Sequence, residues 1–427
     1  DAEPDLVTNQ CGGVVPLWSD SPMALSRPCH CSSSTKGSTV SRATRDVAPD
    51  ILRGFALWGI ILVNVSYFST SVDTGVTSDG VQSTGDAIAA FLVFVFGQGK
   101  FYLIFSFLFG YSAQYLLGNQ HTGRTRWVTR SFGLIALGLA HASLLFIGDI
   151  LFLYGILALL LLAFYGRTRT TIVRWMGWLY GIFVAALAAL LALTWLGESQ
   201  GFTATAPPST AGAAYGEAVT TGSFLEAIPA RWGVWSEEAV FLVFFQGVLT
   251  FIAFLAGILA ARSQTLSPEG VTPATLRKMI LWGWGLGLGL QVLFGGIWLG
   301  NLVSVSPTVT LELSGFFGGF VTAPLLSIGY LGTVMWLIKT RPQLLGWLGS
   351  MGRISLTVYL SQSVILSLIF GAWGLGLYQQ VPYWWSVLIS VGVTILLAVF
   401  ARLWLSRFRQ GPMEKLLTAW SKMFLRR

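Results

Sequence analysis

Charge is what this chain has least of. Asp, Glu, Lys and Arg make up only 10% of its 427 residues, too little to coat a water-soluble protein of this length, whereas 54% are hydrophobic. Cysteine is nearly absent as well. Cys11, Cys29 and Cys31 all fall in the first 48 residues, so the remainder has no thiol for a disulfide framework or a thiolate metal centre. Those 48 residues are rich in Ser, Pro, Gly and Thr and read as a disordered tail. The Cys29-His30-Cys31 cluster in it has no further ligands and reads as inert, so no metal is expected. The tail also lacks the apolar core of a signal peptide, and the natural start is expected nearer Met23.

What the chain does have is apolar runs of about 20 residues, the length that spans a bilayer as a helix. They recur from Ile51 almost to the end, which gives an all-α polytopic membrane protein of about ten transmembrane helices. The spans are expected at 51–70, 87–117, 128–148, 149–165, 171–196, 239–261, 276–300, 316–338, 343–371 and 384–407. The tail (1–48) is followed by a membrane domain (49–410) and a short C-terminal tail (411–427).

The net charge of +8 raises the question of nucleic acid, but the basic residues come as small clusters between apolar spans rather than as one patch. Positive-inside topology accounts for them, and no nucleic-acid partner is expected. With a cytoplasmic N-terminus, 22 of the 26 basic residues fall on the inner side, in clusters such as Arg124, Arg126, Arg130 and Lys339, Arg341, Arg353. Asp73, Asp79, Asp86, Glu198, Glu217, Glu226, Glu237, Glu238 and Glu312 fall outside. Both termini are therefore expected in the cytoplasm, with an even number of spans. The longest outer loop, 197–238, carries Trp232 and Trp235 and reads as a connector, with a lid or interfacial segment as the alternative.

Polar side chains at membrane depth are costly and tend to mark a pathway or a site. Arg53 and Asn64 stand eleven residues apart on the first span, and Arg130 and His141 repeat that spacing on the third. Eleven helical steps return to within about 20° of the starting direction and climb roughly 16 Å, so each pair shares one helix face. Both arginines then lie at the inner boundary, with Asn64 and His141 at matched mid-membrane depth, and Asp149 is expected about 12 Å further out. Lys100 follows Gly97-Gln98-Gly99, a break inside an overlong second span. Ser355, Tyr359, Gln362 and Ser363 share a face of the ninth helix and are candidates for acceptor binding or for plain interhelical hydrogen bonds.

These residues carry a resemblance. Arg53-Gly54-Phe55-Ala56-Leu57 running on to Asn64, Phe105-Ser106-Phe107-Leu108-Phe109-Gly110, and Gly138-Leu139-Ala140-His141 with Gly148-Asp149-Ile150-Leu151 resemble the YeiB-like family. From 342 to 420 the chain is similar to the domain of unknown function 418, in Gly352-Arg353-Ile354-Ser355-Leu356-Thr357 and Gly411-Pro412-Met413-Glu414, with Lys415 where an aromatic residue is usual. Arg130-x10-His141 is similar to the motif of integral-membrane acyltransferases that modify cell-surface sugars. The Asn64 region looks distantly like the lysosomal heparan glucosaminide acetyltransferase, although Tyr67 and Phe68 stand where that enzyme has a histidine.

The resemblance implies transfer of an acyl group, acetyl in the first instance, from cytoplasmic acyl-CoA to an envelope glycan or glycolipid. Arg53, Arg130 and Lys100 would hold the CoA phosphates, since guanidinium fits phosphate in bidentate fashion. His141 would act as base, Asn64 as oxyanion donor and Asp149 as orienting group; Tyr359, Gln362 and Ser363 would meet the acceptor. The alternative is a transporter or exporter of a small metabolite, with His141 and Asp149 as a proton relay; a scaffold for envelope assembly is a third reading. The expected location is the bacterial inner (plasma) membrane, among lipids. The Gly- and Trp-rich stretch from Trp282 to Leu290 could pack protomers of a homo-oligomer or helices of one chain.

Overall fold

In hydrocarbon every backbone N–H and C=O must be satisfied within the chain, and long apolar runs meet that condition as helices. The computed structural model describes residues 47–72, 81–118, 122–202, 209–267 and 269–423. Cys11, Cys29 and Cys31 lie outside the described residues. The helices are, in chain order, α1 (Ala48–Asn64), α2 (Ser66–Ser69), α3 (Thr84–Leu92), α4 (Lys100–Leu117), α5 (Gly123–Leu144), α6 (Leu151–Tyr165), α7 (Arg169–Ser199), α8 (Thr210–Thr220) and α9 (Ala227–Phe241). They continue with α10 (Gly247–Arg262), α11 (Pro273–Trp282), α12 (Leu288–Leu302), α13 (Val309–Thr340), α14 (Gly346–Arg353), α15 (Ser355–Phe370), α16 (Tyr383–Arg407) and α17 (Pro412–Met423). Among the described residues there is no strand.

Among the described residues, seven helical stretches are long and apolar enough to cross a membrane, and eight if α14 with its leading turn and α15, bent by 80°, count as one broken span. This corrects the expected ten. The two that fall short are α5, whose first turns hold Arg124, Arg126 and Arg130, and α6, only 15 residues long. These two pack antiparallel, with Trp127 Nε1 donating to the Ala158 carbonyl at 2.7 Å. The chain is a multi-pass, all-α membrane protein.

Helix α1 is central, packing against α4, α13, α14, α15 and α16. Helices α4 and α10 approach so closely that a Cβ on Gly110 or Gly257 would strike the partner backbone. At the periphery lies α7, with Trp175, Trp178 and Trp195 all more than 45% exposed. Trp195 lies about 26–30 Å along the helix from Trp178 and Trp175, matching the two interfaces of a hydrocarbon core.

The expected break in the second span is present. A π-helical turn, Val93–Gly97, follows α3, and Gly99 at φ +81° starts α4 from a left-handed conformation that suits glycine. Loop 197–238 is more than a connector: α8 and α9 pack on each other, and Val219 accepts a backbone hydrogen bond from Ala372 at 2.9 Å. Arg231 is buried there between Phe224 and Trp373, 5.3 and 4.9 Å from the ring centroids, and burial lowers its pKa. In the Gly- and Trp-rich stretch, Gly283 abuts Gly329 of the same chain and Trp284 donates to Thr333 Oγ1 at 2.9 Å.

Candidate active site

A cavity of about 380 Å³ opens among α1, α4, α5, α6 and α15. Its arginine-bearing end is lined by Arg53, Arg130 and Arg353 with Ser112, Ser355 and Glu414. Arg53 donates to Asp50 Oδ1 at 2.9 Å and to Ser112 Oγ. Arg130 faces the Arg53 guanidinium, and the Glu414 carboxylate supplies nearby opposite charge. The far end is lined by Asn64, Tyr67, Gln98, Gln246 and Gly148. From Arg53 to Asn64 the cavity follows α1 for roughly 16 Å.

The mouth owes its shape to two glycine-led segments far apart in sequence. Helix α15 begins just past the bend after Arg353, so its first N–H groups have no intrahelical partners. Glu414, in the first turn of α17, accepts them: Oε1 takes Leu356 N–H at 2.7 Å and Thr357 N–H at 3.2 Å, while Oε2 takes the Thr357 hydroxyl at 2.6 Å. A carboxylate there also complements the positive end of the helix dipole.

His141 lies on the cavity face of α5, beyond Arg130 and Leu134, yet its ring does not reach the cavity. It is 2% exposed and stands behind Tyr359, at 5.2 Å between ring centroids. The expectation that imidazole and Asn64 meet in one space is corrected in this respect: the arginines and the amide share the cavity, and the imidazole is one side-chain layer behind its wall.

Asp149 departs further from the sequence reading. Extrapolating a helix put it about 12 Å beyond His141, but α5 ends at Leu144, the chain reverses through Phe146 and Gly148, and the carboxylate returns to the imidazole. Asp149 Oδ2 lies 2.7 Å from His141 Nδ1, and Oδ1 accepts Phe152 N–H from the first turn of α6 at 2.8 Å. Gly138 permits this, since a Cβ at that position would stand 2.7 Å from Asp149 Oδ1 and strike the Phe152 backbone. On the other edge of the ring, Nε2 is 2.9 Å from Ser363 Oγ of α15.

A carboxylate can only accept, so Nδ1 carries the hydrogen and Nε2 is left as an acceptor for the serine hydroxyl. Asp149, His141 and Ser363 thus form one buried hydrogen-bonded chain, with exposures of 4%, 2% and 3%. No cluster of His, Cys, Asp and Glu suited to a metal occurs among the described residues.

The remaining expected site residues divide. Tyr359 lines the cavity and separates it from the His141 ring. Gln362 does not line it and instead donates to the Leu57 carbonyl at 3.1 Å, tying α15 to α1. Lys100, expected at phosphate, is fully buried away from the cavity; its Nζ donates to the Phe94 carbonyl at 2.7 Å, satisfying the broken second span. Arg353, Gln98 and Glu414 were not singled out from sequence as site residues, although the Gly97-Gln98-Gly99 break and the Gly411-to-Glu414 motif marked two of the segments.

Residues 260–423 match the family described as "Protein of unknown function (DUF418)". The protein YxaH of Bacillus subtilis (strain 168) is 31% identical over 387 residues, which cover 86% of this chain and 91% of that protein. The protein YeiB of Escherichia coli (strain K12) is 27% identical over 405 residues, covering 90% of this chain and 97% of that protein. No solved structure matches. With such coverage, and with the residues of both glycine-led motifs meeting at the mouth of one cavity, the chain belongs to the YeiB-like family of DUF418 membrane proteins.

Proposed function

We propose that this protein is an integral-membrane acyltransferase, moving an acetyl or similar small acyl group from acyl-CoA at its arginine-bearing, cytoplasmic end to an envelope glycan or glycolipid on the other side of the plasma membrane. One observation carries the reading. A cavity with three arginines at its mouth runs to within one side-chain layer of an imidazole held between a carboxylate and a hydroxyl.

Arg53, Arg130 and Arg353 suit the phosphates of CoA, since planar guanidinium groups bind phosphate oxygens in pairs. The pantetheine arm would follow the cavity along α1, bringing the thioester toward Tyr359. His141 is the proton carrier: its Nε2 can take a proton from an attacking oxygen or nitrogen, while Asp149 fixes the ring and steadies the imidazolium. Asn64 projects into the cavity as a donor for the developing oxyanion.

The test is binding and transfer with purified full-length protein. Radiolabelled acetyl-CoA should bind saturably and deliver its acetyl group to members of a panel of amino sugars and hexose glycolipids. His141→Ala should lower transfer about 100-fold or more while acetyl-CoA still binds, as expected when a proton-transfer group is removed. Arg130→Ala should chiefly weaken acetyl-CoA binding. Wild-type protein that neither binds acetyl-CoA nor transfers acetyl, but carries solutes with protons, would replace this reading with the transporter one.

A further inference from the structure

We infer that the acyl group crosses on Ser363, as a serine ester, rather than passing directly from CoA to the acceptor. This rests on the acyl-transfer reading and specifies its mechanism. The acceptor lone pair of His141 Nε2 points not into the cavity but at Ser363 Oγ, 2.9 Å away. A base activates the hydroxyl that it touches, and here that hydroxyl belongs to the protein. An external acceptor would have to displace Ser363 before His141 could serve it.

Three further observations fit. Asp149 is doubly held, by Nδ1 of His141 and by the Phe152 N–H, so the ring is fixed in the tautomer that a serine nucleophile needs. Ser363 stands eight residues, roughly 12 Å, along α15 from Ser355 at the cavity mouth. CoA can therefore remain at the inner end while the acyl group is passed outward. Tyr359, one turn before Ser363 on the same face, lines the cavity and stands 5.2 Å from the His141 ring between centroids. It is the group that must rotate to admit the thioester.

The steps balance without any oxidant or metal. In the first, Ser363 Oγ attacks the thioester carbonyl carbon as its proton passes to Nε2; the C–O bond forms, the C–S bond breaks, and the thiolate leaves as CoA with the proton from Nε2. In the second, the acceptor hydroxyl or amine attacks the ester carbonyl and gives its proton to Nε2; the bond to Oγ breaks and Ser363 recovers its proton.

The experiment mixes full-length protein with radiolabelled acetyl-CoA in the absence of acceptor, quenches in acid, and maps the label by peptide mass. Label is expected on Ser363. Ser363→Ala should lose that label and transfer about 100-fold more slowly or worse. Ser363→Cys should take up acetyl as a thioester that neutral hydroxylamine cleaves, a signature that a merely structural serine would not give. Labelling of wild-type protein at Ser363 supports the inference even if Ser363→Ala proves unstable. Transfer undiminished in Ser363→Ala, or wild-type transfer with no label on Ser363, overturns this inference alone. A wild-type protein that never releases CoA overturns the acyl-transfer reading together with it.

Discussion

At the scale of single residues, what distinguishes the Asp149–His141–Ser363 chain is how completely its buried polar groups are matched. An unpaired polar group at this depth would cost on the order of 1–3 kcal/mol, yet His141 uses both ring nitrogens, and Asp149 uses both oxygens. The pairing gives a sharp expectation for Asp149→Asn. An amide can donate to Nδ1 and hold the ring in the other tautomer, with the hydrogen on Nε2, where it can no longer accept from Ser363. Acetyl transfer should then fall by about 100-fold or more with the thermal midpoint little changed; a variant with more than half of wild-type activity would show that His141 needs no oriented tautomer. Much of this was legible in the chain. The eleven-residue spacing put Arg53 with Asn64 and Arg130 with His141 on common faces, and the stripe from Ser355 to Ser363 exposed a polar face on an apolar helix. Neither could show that Ser363 meets His141, because a contact across 222 residues leaves no local periodicity.

At the scale of elements, the site depends on helices that stop. Helix α5 ends at Leu144 and lets Asp149 return, the second span breaks at Gly97 to Gly99, and α15 starts after an 80° bend. Glycines announced the second of these breaks, at Gly97 and Gly99, whereas the third was read as one continuous span, 343–371. The first was read as two abutting spans, but the depth of Asp149 was extrapolated as if the helix continued. Lys100 shows the same limit: a lysine beside a break looked like an anion ligand, whereas the break itself frees the Phe94 carbonyl that the lysine satisfies. The cap on α15 can be tested directly. Glu414→Ala leaves the Leu356 and Thr357 N–H groups without their partner, which should cost about 1 kcal/mol or somewhat more. A lowered thermal midpoint in detergent, together with weaker acetyl-CoA binding, is the expected outcome. No change in either would mean that α17 plays no part in shaping the cavity mouth.

At the scale of the molecule, the arrangement is directional. The arginines gather at one end, the cavity leads inward from them, and the hydrogen-bonded chain sits past its midpoint with α8 and α9 on the opposite side. The sequence conveyed this polarity through its charges, since positive clusters alternate with acidic loops along the whole chain. It conveyed the number of spans less well, because a short hairpin such as α5 with α6 has the same apolar pattern as two full crossings. Sidedness is therefore the property that tests the account most directly. The full chain is reconstituted in liposomes with its arginine-bearing end outward, radiolabelled acetyl-CoA is supplied outside, and amino sugars are trapped within. The account predicts acetylated sugar in the lumen, with CoA released outside and product formation lost in Ser363→Ala. Transport of unmodified sugar with no acetylated product would contradict it.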